Sequence, residues 1–343
     1  MKRLISAMLV LVMVIGMLGL TACGGGNSGS GNKTVYKIKL HHDLAEGTAQ
    51  DLGAKKFKEL VEKASNGQIE VTIYANNTLG NDTEAAEMMQ TGSLEAALLP
   101  TAKLSGFSKS LQVIDMPYMF TSREALYGTL DDEQFKKAMF DPMEEIGFHG
   151  INFWESGYKQ FTANTPTTKP EDFVGLNFRT MESPLIIAQF KALGANPIPI
   201  DFGETYNALQ QGTVDGEENP LVSIVNMKFY EVQDYCVISN HAYLGYAFLF
   251  SKTYWDKLPA DLQEIINKAA DEAVQFERQT TIDNEAALIK TIEDSGTTVI
   301  YMTDEETAVM AEVMKPVHEE FRDVVGSDIL DLTYQLAEKY GKK

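Results

Sequence analysis

From Pro259-Ala260 to Ser295 the chain runs without an internal breaker, and Gly296 is the first residue to interrupt it. Leu262, Ile265, Ala269, Ala273, Phe276, Ala286, Ile289 and Ile292 recur mostly at helical spacing. A helix of about 36 residues at 1.5 Å per residue is roughly 54 Å long, more than one small domain requires. Two architectures accommodate it. One is a coiled coil, although the heptad is not sustained. The other is a body of two lobes that the helix crosses.

The remaining pattern favours α/β layers. Alternation predicts strands over 34–40 and 69–74. Between them, 49–64 reads as an amphipathic helix with Leu52, Phe57, Leu60 and Val61 inward, stopped by Asn66-Gly67. Further strands are expected over 94–99, 148–154, 175–179, 243–250 and 299–301. Helices are expected over 83–90, 131–146, 184–193 and 205–211, the 184–193 helix capped by Ser183 and started by Pro184. Another helix is expected to start at Asn219-Pro220, with Asn219 as its cap.

The first residues read as an address. Lys2-Arg3 precedes an apolar run from Leu4 to Leu18, and Leu20-Thr21-Ala22-Cys23 follows. This resembles the lipobox of bacterial lipoproteins, which implies cleavage of 1–22 and a lipid on Cys23. Two acyl chains suffice for stable anchoring; the alternative is an uncleaved membrane anchor. Residues 24–32 are Gly/Ser/Asn-rich, a flexible tether. The expected location is outside the cytoplasm, close to the membrane.

Charge and cysteine usage exclude several classes. The chain has 343 residues and a net charge of −20, and loss of Lys2 and Arg3 with the leader takes it to −22. That argues against nucleic acid or anionic lipid as a partner. Cys23 and Cys236 are the only cysteines, too few for a disulfide framework or a cysteine metal cluster. Cys236 sits in Tyr235-Cys236-Val237-Ile238 and reads as a core thiol. Outside the Gly-rich 24–32 stretch no GxGxxG occurs, and no GxxxxGK[ST], HExxH or GxSxG occurs at all. His41 and His42 are adjacent, so on a strand they point to opposite faces and are poorly placed to share a metal. Nothing supports catalysis, a cofactor or a metal centre.

Residues 175–220, GLNFRTMESPLIIAQFKALGANPIPIDFGETYNALQQGTVDGEENP, are the most specific stretch. They resemble the signature of the solute-binding subunits of tripartite ATP-independent periplasmic (TRAP) transporters, the DctP family. YANNTLGND (74–82), ESGYKQFTANTP (155–166) and FYEVQ (229–233) support the resemblance, which extends over about 35–340. It implies a two-lobed α/β binder that closes over an organic acid and passes it to an ion-driven membrane permease. It implies lobes of 33–156 plus 245–285 and of 157–244 plus 286–343, with the long helix spanning both.

The resemblance also assigns residues. Arg179 matches the carboxylate-binding arginine; a guanidinium fork fits a carboxylate in a way lysine cannot. Asn219 matches a residue that donates to the ligand, and Phe202 one that covers it. Lys159 and Lys103 match positions that are often basic. Asp82, His42 and Trp154 are rim candidates, although Trp154 is equally suited to the core. Lys103 with Lys159, together with GYKQFTANTP and SNHAYLGY (239–246), points to a four-carbon dicarboxylate. The alternative ligand is a hexuronate or other monocarboxylate. An extracellular enzyme on acidic glycans and a sensor ectodomain are the rival classes.

Overall fold

The computed structural model describes residues 34–342; the leader, Cys23 and the tether expected at 24–32 lie outside the described residues. The first βαβ unit forms as its pattern requires. Strand β1 (Tyr36–His41) pairs in parallel with β2 (Ile69–Tyr74), and the helix Ala49–Ala64 connects them. Thr48 caps that helix by accepting from the Asp51 N–H. Phe57 and Val61 are fully buried and Leu60 is half-buried. Leu52, expected inward, is 36% exposed: it sits past the edge of the apolar stripe, where Ala49, Gly53 and Ala54 allow the helix to lie close to the sheet.

The other strands are β3 (Ala96–Pro100), β4 (Phe148–Ala163), β5 (Asn177–Thr180), β6 (Asn196–Pro199), β7 (Gly216–Pro220), β8 (Tyr235–Ile238), β9 (Tyr243–Ser251) and β10 (Thr298–Tyr301). Their order is β2-β1-β3-β9-β4-β7-β5-β6, with β8 pairing β4 and β10. Strand β4 is the link. Its first part, to Tyr158, lies antiparallel to β9; its last residues, from Lys159, pair with β7 and β8. The change of partner follows a bulge at Ser156, where Gly157 adopts φ +123°. One strand therefore belongs to both halves of the sheet.

The helix Ala260–Asp294 has 35 residues, close to its expected limits. It packs on the 49–64 helix in the first half, and on the helix Leu221–Asn226 and β10 in the second. Of the two architectures that the sequence left open, the crossing helix is the one found.

Two other expectations are revised. The helix predicted over 131–146 forms over Glu133–Glu144, and a separate helix, Arg123–Asp131, which the sequence pattern did not suggest, precedes it. Asp132 has extended backbone between them and caps the second by accepting from the Gln134 N–H. Asn219 is not a helix cap: it belongs to β7, and Pro220 stands between it and the helix Leu221–Asn226. Cys236 is buried, as read from sequence.

The core mixes aliphatic packing with aromatic edges. Phe161, Phe173, Phe178 and Phe190 cluster in the second half, and Phe57, Trp154 and Phe248 in the first.

Candidate ligand-binding cleft

Strand register decides what the cleft receives. Arg179 on β5 is in register with Glu217 on β7, so both side chains lie on one face, and Asn219, two residues on, joins them. Strand β7 lies against both β4 and β5. At Gly216 an added Cβ would come 2.5 Å from the Thr162 carbonyl oxygen and 2.6 Å from the Phe178 ring. Only glycine permits that approach.

A cleft enclosing about 260 Å³ of open space is lined by Asp43, Asp82, Pro100, Lys103, Arg179, Met181, Phe202, Asn219, Ser223, Leu244 and Tyr246. Five sequence candidates meet here: Arg179, Asn219, Phe202, Lys103 and Asp82. A larger cavity, about 680 Å³, lies beside Thr48, Tyr158 and Leu288; its charged lining residues are Glu46 and Glu285, with no lysine or arginine, so it suits an anion poorly.

Arg179 is fully buried. Its Nε donates to the Ile200 carbonyl at 2.9 Å, while both terminal nitrogens lack a hydrogen-bond partner. The other arginines of the described residues are all engaged by carboxylates: Arg123 by Glu285, Arg278 by Asp131 through both terminal nitrogens, and Arg322 by Glu319 and Asp331. Burial pulls the Arg179 pKa down, opposed by Glu217 and Glu218. A desolvated cation with two unused donors in one plane is built to receive a carboxylate.

The neighbours complete the site. Asn219 Nδ2 donates to Glu217, and Thr162 Oγ1 donates to the same carboxylate at 2.8 Å. Burial pushes Glu217 up to about 7 against those two hydrogen bonds. Lys103 Nζ reaches Asp201 at 3.2 Å and Glu182 at 3.5 Å. The Phe202 ring stands edge-on to Phe229 at the cleft wall.

Three candidates are placed elsewhere. Lys159 is in register with Pro220, which puts it on the face of Glu218, opposite Arg179 and Asn219. There its Nζ donates to Glu218 Oε1 at 2.9 Å; Glu218 Oε2 meets His241 Nε2 at 2.6 Å, and His241 Nδ1 meets Ser239 Oγ at 2.8 Å. Burial opposes ionisation of Glu218, but Lys159 and His241 outweigh it and hold its pKa near 2. Trp154 is a core residue, its Nε1 donating to Asn152 and its ring edge-on to Phe248. His42 is fully buried and turned toward Asp51, at 3.6 Å. The next residue, Asp43, enters the cleft instead. Asp43, Tyr246 and Ser223 are the polar lining residues that sequence reasoning missed.

The buried acids predict how stability depends on pH. Burial is the leading cause that raises Asp82 to about 6, Asp115 and Glu217 to about 7, and Glu277 to about 8. Their folded values exceed their unfolded ones, so stability is full at low pH and is lost as pH rises through 6–8. His41, lowered by burial to about 4, acts oppositely, losing stability as pH falls from 6.5 toward 4. The melting temperature is therefore expected to rise as pH is lowered from 9 to about 6.5 at fixed ionic strength. A melting temperature that falls over that window, measured by calorimetry, contradicts the assignment.

Residues 40–323 match the family described as bacterial extracellular solute-binding protein, family 7, or DctP. The chain belongs to this family. The C4-dicarboxylate-binding periplasmic protein DctP of Rhodobacter capsulatus is 38% identical over 295 residues, 85% of this chain and 88% of that protein. A TRAP periplasmic solute-binding protein from Shewanella oneidensis, solved with bound succinate, superposes with a TM-score of 0.84 at 33% identity, over 89% of this chain and 100% of that one. The sugar acid binding protein DctPAm of Advenella mimigardefordensis, in complex with galactonate, gives 0.85 at 30%, over 90% of this chain and 99% of that one. The two-lobed α/β architecture of this solute-binding protein is that of the TRAP family.

Proposed function

We propose that this solute-binding protein captures a four-carbon dicarboxylate such as succinate, malate or fumarate. The observation that carries the reading is the buried Arg179 guanidinium with two unused donors. In this reading Arg179 takes one carboxylate, Asn219 donates beside it, and Phe202 covers the ligand. Lys103 crosses to Glu182 and Asp201 and ties the cleft shut. The Rhodobacter capsulatus and Shewanella oneidensis relatives support the ligand class. The lobes that close are 33–156 plus 245–285 and 157–244 plus 286–343, flexing at β4. The bound acid passes to a TRAP membrane permease, and Cys23 carries the lipid that holds the protein outside the cell. No turnover is part of the proposal.

A sugar acid is the second reading. Asp43 and Asp82 in the cleft can accept from hydroxyls, and a galactonate complex exists at 30% identity. Thermal shift and calorimetry with succinate, malate, fumarate, galactonate and glucuronate test both. A ligand at 100 times its Kd stabilises the fold by about 2.7 kcal/mol. Binding of the diacids supports the first reading. Binding of sugar acids alone replaces it with the second, and consumption of any ligand in a mass-balance assay overturns the non-catalytic role.

A further inference from the structure

The cleft that Arg179 lines also holds a pair of acids. Asp43 and Asp82 are 5% and 4% exposed. Asp43 Oδ2 accepts from the Tyr246 hydroxyl at 3.0 Å, and its Oδ1 has no partner. Asp82 opens the helix Asp82–Gln90, and its Oδ1 also has no partner. Both carboxyls line the cleft. The charged and titratable groups that face them are Tyr246 from β9, Lys103 from the turn Thr101–Gly106, Arg179 from β5, and Asp201. Lys103 is already engaged by Asp201 and Glu182. His42, beside Asp43, is turned to Asp51.

Two buried carboxyls with free oxygens present acceptors only when both are ionised. A second ligand carboxylate brought against them would add a further acceptor and a further negative charge. That contact is favourable only if a proton lies in it, giving an O–H donor between the oxygens. A hydroxyl group brings its own donor and needs no added proton.

We infer that Asp43 and Asp82 make the cleft a proton-dependent reader, which takes up one proton to hold a second carboxylate and none to hold hydroxyls. The inference rests on the carboxylate reading of the Arg179 site and deepens it by setting how diacids and hydroxy acids are told apart. The balance is simple. One proton comes from solvent and stays between Asp82 and the ligand's second carboxyl, and no covalent bond changes. Burial, with the mutual repulsion of the pair, raises Asp43 well above its ordinary range, and burial raises Asp82 to about 6.

The test is calorimetry of succinate and of galactonate at pH 5.5 to 8.5, in two buffers of different ionisation enthalpy. At pH 7.5 succinate should take up about one proton and galactonate close to none. From pH 6.5 to 8.5 succinate affinity should fall at least about tenfold, the limit for one linked proton being about tenfold per pH unit. Galactonate affinity should change less than about threefold over the same range. Asp82→Asn, a fixed neutral donor, should abolish succinate's proton uptake and flatten its pH profile. The wild-type comparison stands by itself if that variant fails to fold. Succinate binding without proton uptake, or equal uptake by both ligands, overturns the inference and leaves the dicarboxylate reading intact. If only galactonate binds, the dicarboxylate reading falls and the inference falls with it. If neither binds at any pH, both fall.

Discussion

Arg179→Lys is expected to bind ligand almost as poorly as Arg179→Met. The lysine keeps the charge but presents a single ammonium where the cleft offers a plane of two free donors. Hydrogen bonds to charged groups contribute about 1.5–3 kcal/mol each. Loss of two costs at least about 3 kcal/mol, more than a hundredfold in Kd. The apo protein should respond the other way. Arg179 is a buried cation whose only hydrogen-bond partner is the Ile200 carbonyl, so it costs stability while the cleft is empty. Arg179→Met should therefore melt no lower than wild type without ligand, and it should show no ligand-induced shift. Calorimetric titration and thermal melts of both variants decide it. A lysine variant within threefold of wild-type affinity would rule out paired recognition of the carboxylate.

Much of the architecture is legible because its local signals agree. The 49–64 helix has a cap at Thr48, an inward stripe and a stop at Asn66-Gly67, and it forms where expected. The long helix lacks any breaker before Gly296 and runs nearly its full expected length. What fails to show is structure imposed by tertiary contacts. Strand β7 is Gly-Glu-Glu-Asn-Pro, with no apolar alternation, and it is a strand because β4 and β5 pair with it from both sides. Strand β4 continues nine residues past its expected end at Trp154, because the bulge at Ser156 carries it from one partner set to another. The edge strand β6 contains Pro197 and Pro199, which only an edge tolerates.

The same limit governs the site. A motif brings residue types and spacing, but the face on which each side chain lies depends on register. Arg179, Asn219 and Phe202 come from the specific 175–220 stretch and do reach one cleft. Lys159 is three residues past a bulge, and Asp43 follows the end of β1. In neither case does sequence fix the face. The error at His42 is one position, which is enough to exchange a buried histidine for a cleft carboxylate.

Lys159→Met is the second substitution with a large expected effect, and it acts on the fold rather than on ligand choice. Lys159 and Glu218 are both fully buried and paired at 2.9 Å. Removing one member of such a pair strands the other charge, at a cost of about 3–5 kcal/mol. His241 modifies that cost, because its Nε2 already meets the second Glu218 oxygen. Burial and Lys159 both hold the His241 pKa down, although Glu218 pulls it up. Without Lys159 the balance shifts upward, and a protonated His241 can partly replace the lost cation. A histidine whose folded pKa is raised gives stability that is present at low pH and lost as pH rises. The variant's deficit should therefore be smaller at pH 5.5 than at pH 8. Adding Glu218→Gln removes the stranded charge, so the double variant should be more stable than Lys159→Met alone. Urea denaturation of wild type, both single variants and the double variant at the two pH values gives the full cycle. Full stability of Lys159→Met, with selective loss of succinate over galactonate, would return Lys159 to the ligand site.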